Sequence, residues 1–191
     1  MTLALLACVT AALGLTLLVV AGPAYRIGVL SLPNAFALLR WGAYAGLAGM
    51  LVGLLAGLLA YRRGAKVSTL LASLAFLGGV TAFGIPFEWQ RGARKVPPIH
   101  DITTDLENPP TFEAVVPLRA EAPNTLERSP TLGEQQRRGY PDLEHVALPM
   151  PPDQAFDRAL AVVREVGWRI VAADKGSGRI EATDTTRWFG F

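Results

Sequence analysis

Residues 40–66 read RWGAYAGLAGMLVGLLAGLLAYRRGAK, an apolar run closed by Arg40 on one side and by Arg62, Arg63 and Lys66 on the other. A bilayer core demands about 20 consecutive apolar residues in helical form, because without water every backbone amide must be satisfied inside its own segment. Trp41 to Tyr61 meets that demand, and Trp41 and Tyr61 fall where amphipathic rings favour the headgroup level. Gly42, Gly46, Gly49, Gly53 and Gly57 are spaced four, three, four and four apart and therefore share one helical face. Small residues at that spacing admit a neighbouring backbone, since lipid supplies no hydrophobic drive and close packing must take its place. The plain reading is packing against other helices of the same chain, and the sharper one is homodimerisation through this second helix.

Two more stretches qualify as spans. Leu3 to Tyr25 carries no charge, and Val67 to Phe87 runs from Lys66 to Glu88. The first could be a cleaved signal peptide, but no Lys or Arg precedes its apolar run, and the run is longer than a usual signal core, so a retained helix is expected. From Met1 to Phe87 the charged side chains are Arg26, Arg40, Arg62, Arg63 and Lys66, whereas all 16 acidic residues lie from Glu88 onward. The net charge of +2 averages two unlike halves. With no basic stripe interleaved with aromatics, it does not point to nucleic acid. The helix interiors offer only the hydroxyls of Thr10, Thr16, Ser68, Thr69, Ser73 and Thr81, which argues against a transport pathway. Cys8 is the single cysteine, which excludes an internal disulfide and a multi-cysteine metal site.

The positive-inside rule gives a divided answer. Arg62, Arg63 and Lys66 crowd one short loop, while Arg26, Arg40, Arg91, Arg94 and Lys95 lie on the opposite side, three against five.

Twelve of the 14 prolines fall between Pro86 and Pro152, so that stretch excludes long helices and central strands. One short helix is expected from Leu132 to Arg138, with Thr131 and Glu134 at capping-box spacing and Gly139 as its stop. From Asp153, expected as an N-cap, Ala155, Phe156, Ala159, Leu160, Val163 and Val166 recur at helical spacing until Gly167. Trp168 to Ala173 and Arg179 to Asp184 then read as strands joined by a Gly176-Ser177-Gly178 turn, with Ile180 and Ala182 on one face. The organisation expected is a three-helix transmembrane region at 1–87, a Pro-rich extended segment at 88–152 that opens the soluble domain, and a helix and β-hairpin at 153–191. The fold class is therefore membrane α-helical followed by a C-terminal α+β domain with an antiparallel sheet. Trp188, Phe189 and Phe191 are expected as strand residues awaiting a core.

The run Pro97-Pro98-Ile99-His100-Asp101-Ile102-Thr103-Thr104-Asp105, with Asn108-Pro109-Pro110 and Phe112, resembles the opening of a bacterial and plastid family, domain of unknown function 1499. Gln136-Arg137, Tyr140-Pro141-Asp142, Ala155-Phe156, Ala159-Leu160, Gly167-Trp168, Gly178-Arg179-Ile180-Glu181-Ala182 and Phe189-Gly190-Phe191 follow in the same order. The resemblance implies further strands and a closing helix beyond Phe191, so the domain is expected to be incomplete at its C-terminus. It also implies an exported soluble half, which favours the periplasmic side, and it carries no activity with it.

His100, Asp101 and Asp105 form the cluster to test for catalysis, since a histidine between carboxylates can serve as general base or metal ligand. Metal sites need three or four ligands, and His145 is the only other histidine. The simpler reading is that Asp101, Thr103, Thr104 and Asp105 bond to their own backbone and fix a loop. No nucleophile elbow, phosphate-binding glycine loop or zinc-protease motif is present. The sequence therefore predicts a multi-pass inner-membrane envelope protein with a noncatalytic binding or scaffold domain. Its expected partners are the lipid bilayer and an envelope protein or a second copy, with no cofactor. The alternative is a hydrolase-type or metal-dependent enzyme centred on His100, Asp101 and Asp105.

Overall fold

The computed structural model describes residues 1–120, 122 and 124–191. They form two compact units, Met1–Arg94 with Thr186–Phe191, and Lys95–Thr185.

The first unit holds three long helices, α1 (Thr2–Arg26), α2 (Leu32–Arg62) and α3 (Lys66–Ala93), each in contact with the other two. The shortest has 25 residues, about 37 Å at 1.5 Å per residue, and all three are long and apolar enough to cross a bilayer. Gly28 and Gly64 turn the chain between them at positive φ.

Helix α2 begins at Leu32 rather than Trp41, so Arg40 lies within the helix and does not bound it. Charge ends a hydropathy run but not a helix, because arginine is a good helix former and its long stem can carry the charge away from an apolar layer. The start is set by Ser31 in extended conformation with Pro33 in the first turn, where its missing N–H costs nothing. Helix α3 likewise continues past Phe87 to Ala93.

The core of this unit is made of small residues. Ala7, Ala21, Ala35, Ala72 and Ala82 are fully buried, while Leu5, Leu13, Leu54, Leu58, Leu70 and Leu77 face outward. In water this would be inside out. Against hydrocarbon it is favourable, since outward leucines cost nothing and inward small residues let backbones meet. A Cβ on Gly53 would lie 2.9 Å from the Phe76 amide nitrogen, one on Gly49 2.8 Å from that of Ala11, and one on Gly14 2.8 Å from the Gly42 carbonyl oxygen. Gly46 is pressed against Ala82, whereas Gly57 meets only the Ala72 Cβ, at 3.6 Å. The glycine face of α2 is thus occupied by α1 and α3.

Thr186–Phe191 is a closed turn packed on these helices, not a strand. The Thr186 N–H donates to Phe191 O at 2.8 Å and the Gly190 N–H to Thr186 O at 3.0 Å, with Gly190 at φ +79°. Phe189 is buried against Ala21 and Ala35, within ring contact of Tyr25 and Phe36. Trp188 lies over Gly22 and beside Trp89, donating its indole N–H to Val19 O at 3.3 Å. Arg26 Nη1 donates to Arg187 O at 2.9 Å. The aromatics at 188, 189 and 191 suggest strand residues awaiting a core, but the alanines and glycines of α1 and α2 leave the space that these rings fill.

In the second unit, α4 spans Leu132–Gly139 and α5 spans Pro152–Glu165, followed by β1 (Arg169–Asp174) and β2 (Arg179–Thr183). The strands pair antiparallel, Ile170 opposite Ala182 and Ala172 opposite Glu181, with a bulge between Ile170 and Ala172. Phe156 is the buried residue of α5, which packs on both strands. Pro152 occupies the first turn of α5 and Pro151 its N-cap, so Asp153 lies inside the helix rather than capping it. Thr131 precedes α4 without a side-chain capping bond; its hydroxyl bonds Ser129 and Gln135 instead. Gly139 is needed for space, because a side chain there would collide with the Pro97 ring.

The hairpin turn is built by Asp174, whose carboxylate accepts the Gly176 N–H at 2.9 Å and the Ser177 hydroxyl at 2.7 Å. Gly178 then takes φ +68°, which a side chain would oppose. Lys175 ties the turn to α5 through Asp157 at 2.7 Å.

Candidate functional site

The loop from His100 to Asn108 is fixed from beneath by α4. Gln136, almost fully buried, accepts the Thr103 N–H on its Oε1 at 3.1 Å and donates its Nε2 to Thr103 O, satisfying both backbone groups of one residue. The Thr103 hydroxyl accepts the Asp105 N–H at 3.1 Å and donates to Asp105 O. The Asp105 carboxylate accepts the amides of Asn108 at 2.9 Å and Glu107 at 3.0 Å. The Asn108 amide is the main influence holding its pKa below the ordinary value, with smaller help from Glu107 and the His145 charge. His145 Nδ1 lies 3.2 Å from Thr104 O, which fits an N–H donor. Asp105 is therefore engaged with backbone.

His100 and Asp101 come to the surface of this loop and line a cleft of about 330 Å³. Across it stand Arg119 and Arg128, and its walls include Ile102 and Phe112. Asp101 is paired with Arg128 at 3.4 Å. Among the described residues, His100 has no carboxylate within hydrogen-bond reach, Asp105 does not line the cleft, and no three His, Cys, Asp or Glu side chains gather closely enough to hold a metal. Arg119 extends Nη2 to Asn124 O at 3.4 Å, but its buried Nε has no partner among the described residues.

A second carboxylate matters structurally. Glu181 on β2 is buried and accepts the N–H groups of Glu113, Ala114 and Val115, the last at 2.9 Å, from the turn that leads into the 3-10 helix Val116–Arg119. Burial pushes its carboxyl up, but those amides together with Arg179 outweigh it and hold the pKa below the ordinary value. Arg179 also pairs with Glu113 and lowers that carboxyl too. This cradle fixes the segment that carries Arg119 to the hairpin.

Residues 101–191 match the model of a family described as protein of unknown function (DUF1499). The DUF1499 match agrees with the motifs between Asp101 and Phe191, and it takes in the loop from Asp101 onward, Gln136, both cleft arginines and Glu181, while His100, α1, α2 and α3 lie outside it. No curated protein and no solved structure matches the chain.

Sequence reasoning reached His100 and Asp101 but missed Arg119, Arg128, Gln136 and Glu181. For Glu181 a signal existed: Arg179 and Glu181 stand two apart on one strand face, the spacing of a same-face ion pair. Gln136 carried a weaker one, being the polar residue four positions after Leu132, on the face that α4 buries. For the two arginines no local pattern exists, since the cleft joins loop segments whose folding obeys no period.

Proposed function

We propose that the chain is a multi-pass inner-membrane envelope protein in which α1, α2 and α3 anchor a noncatalytic binding or scaffold module on the periplasmic side. The observation that carries this reading is how the polar groups of the DUF1499 region are used. Asp105, Thr103, Gln136 and Glu181 all bond to backbone, which fixes the loops they hold and, among the described residues, leaves no nucleophile, base and orienting group in line. The outward leucines and small-residue core support the anchor, and the dense Arg62, Arg63, Lys66 loop supports a cytoplasmic position for that loop. The partners proposed are the bilayer and an envelope protein or a second copy of the chain.

The test has two parts. A reporter active only in the periplasm, fused after Gln90, is expected to be active, and its cytoplasmic counterpart inactive; the reverse overturns the orientation. Capture of the complete protein in native lipid discs is expected to recover a stoichiometric protein partner, a second copy or a retained lipid.

The enzyme reading, centred on His100, Asp101 and Asp105, has one observation in its favour, that His100 and Asp101 open onto a cleft. Hydrolysis of simple esters or phosphoesters by the purified protein, abolished by His100→Ala, would put that reading in place of ours.

A further inference from the structure

We infer that the cleft beside His100 is a binding site for a small organic oxyanion, a carboxylate or phosphate ester carrying an apolar group, held by Arg119 and Arg128. This rests on the binding-module reading and names the class of ligand.

Charge is the first argument. Among the described residues that line the cleft, two guanidinium groups stand against one carboxylate, Asp101. Asp101 lies 3.4 Å from Arg128, which leaves Arg119 without an acidic partner among the described residues. The second argument is the shape of the donor. Arg119 engages Asn124 O only at 3.4 Å through Nη2, and the planar fork of arginine matches carboxylate and phosphate oxygens in pairs.

The third argument is the wall. Ile102, Phe112 and Leu126 line the same cleft and are 46%, 53% and 43% exposed. A bare inorganic anion would leave them wet. An organic anion would cover them while its charged end met the arginines, the combination of apolar lining and a few placed polar groups that small-molecule sites share. The loop beneath is already fixed by Gln136 and the opposite segment by Glu181, so the site needs little ordering when the ligand enters.

The experiment uses the full chain in discs of phosphatidylcholine, titrated with phenyl phosphate, benzoate, inorganic phosphate and the neutral benzyl alcohol. One or both aromatic anions are expected to bind more tightly than inorganic phosphate, and benzyl alcohol not at all. Arg119→Gln should weaken binding by about tenfold or more, the usual scale for a hydrogen bond to a charged group. Arg119→Lys, which keeps the charge but loses the fork, should fall between, and Arg158→Gln on the exposed face of α5 should bind as the parent does. Thermal unfolding of each variant separates lost binding from lost folding, and Arg119→Lys serves if the Gln variant does not fold. Repeating the titration in discs containing phosphatidate identifies the source: competition assigns the anion to a lipid headgroup, and unchanged affinity to a soluble ligand. If neither aromatic anion binds, or if both Arg119 variants bind like the parent, the site is not an oxyanion site, while the outcome of the capture experiment is untouched.

Discussion

The helical unit and the Lys95–Thr185 unit are held together by opposite means. In the first, Ala7, Ala72, Gly49 and Gly53 stand where backbones nearly touch, and the hydroxyls of Thr10, Thr69 and Thr81 each bond to the carbonyl four residues back. In the second, one apolar side chain of α5 is buried, and side chains clasp backbone instead: Gln136 on Thr103, Asp105 on Asn108, Glu181 on Val115, Asp174 on Gly176. The eleven prolines of the second unit explain the difference, since a segment that cannot form ladders must satisfy its amides with side chains. Shape decides the first unit and polar satisfaction the second, so the two should fail under different insults.

The largest expected effect is on shape. Gly53→Leu should destabilise the helical unit by about 3 kcal/mol, the upper end for overpacking, because the contacts it meets are the Phe76 amide and the Ala72 carbonyl rather than a yielding side chain. Gly84→Leu, where nothing lies within 4 Å, should change stability by less than about 0.5 kcal/mol. Thermal unfolding in detergent compares them, and equal midpoints would mean that close approach does not hold the helices together.

Next comes polar satisfaction. Gln136→Met keeps the volume of a buried side chain but strands the N–H and C=O of Thr103, which should cost about 2 kcal/mol. Hydrogen exchange at the Thr103 amide should quicken while α1, α2 and α3 stay as protected as in the parent. Unchanged protection at Thr103 would show that water replaces the glutamine and that the loop is not held from α4.

How much of this could be read in the sequence follows the same division. Where a period exists, reading succeeds: the helices α1, α2 and α3, the short α4, the α5 pattern ending at Gly167 and both strands of the hairpin lie within a few residues of expectation, apart from the end of α3, which runs on to Ala93, and the first turns of α2. Those were lost because Arg40 interrupts hydropathy without interrupting helix. The turn Thr186–Phe191 was misread because a run of aromatics cannot tell a strand from rings that dock on a surface far away in sequence. In the loop, the backbone-bonding reading of Thr103 and Asp105 needed only neighbours two or three positions off. Arg119 and Arg128 reach the cleft through contacts that no spacing encodes.

Acid should also separate the units. Glu181, Glu113 and Asp105 all have carboxyl pKa values held below the ordinary ones, Glu181 by its three amide donors and Arg179 against the cost of burial, Glu113 first by Arg179, and Asp105 first by the Asn108 amide. A folded-state value below the unfolded one means the stabilisation is complete above the unfolded value, near 4.5 for glutamate, and is lost as pH falls through the folded value. The Lys95–Thr185 unit should therefore lose stability steadily as pH drops below that point, whereas the helical unit, with no acidic side chain before Glu88, should hold its helicity. Circular dichroism for the helices and exchange at Val115 for the cradle follow the two. Parallel loss would mean that the units do not unfold independently.

The smallest effect distinguishes two uses of glycine. Gly178 has nothing within 4 Å of where a Cβ would stand, but its φ is +68°; Gly53 has ordinary helical φ and no room. Alanine at Gly178 should cost about 1 kcal/mol, the penalty of the left-handed region for an L-residue, and asparagine should cost less, because its short polar side chain tolerates that region. At Gly53 the order should reverse. Alanine is the smaller intrusion and the better helix former, while asparagine adds volume and a polar group facing the Phe76 amide and Ala72 carbonyl. The four variants, measured by thermal unfolding with the same full chain in detergent, make a crossed comparison in which only the order matters, so differences in the baseline of each unit cancel. If asparagine is worse than alanine at both positions, the Gly178 turn does not depend on positive φ and the hairpin must be held chiefly by Asp174 and its bonds to Gly176 and Ser177. If alanine is tolerated fully at Gly53, the α2–α3 approach can widen at little cost, and shape would decide less in the helical unit than its small-residue core indicates.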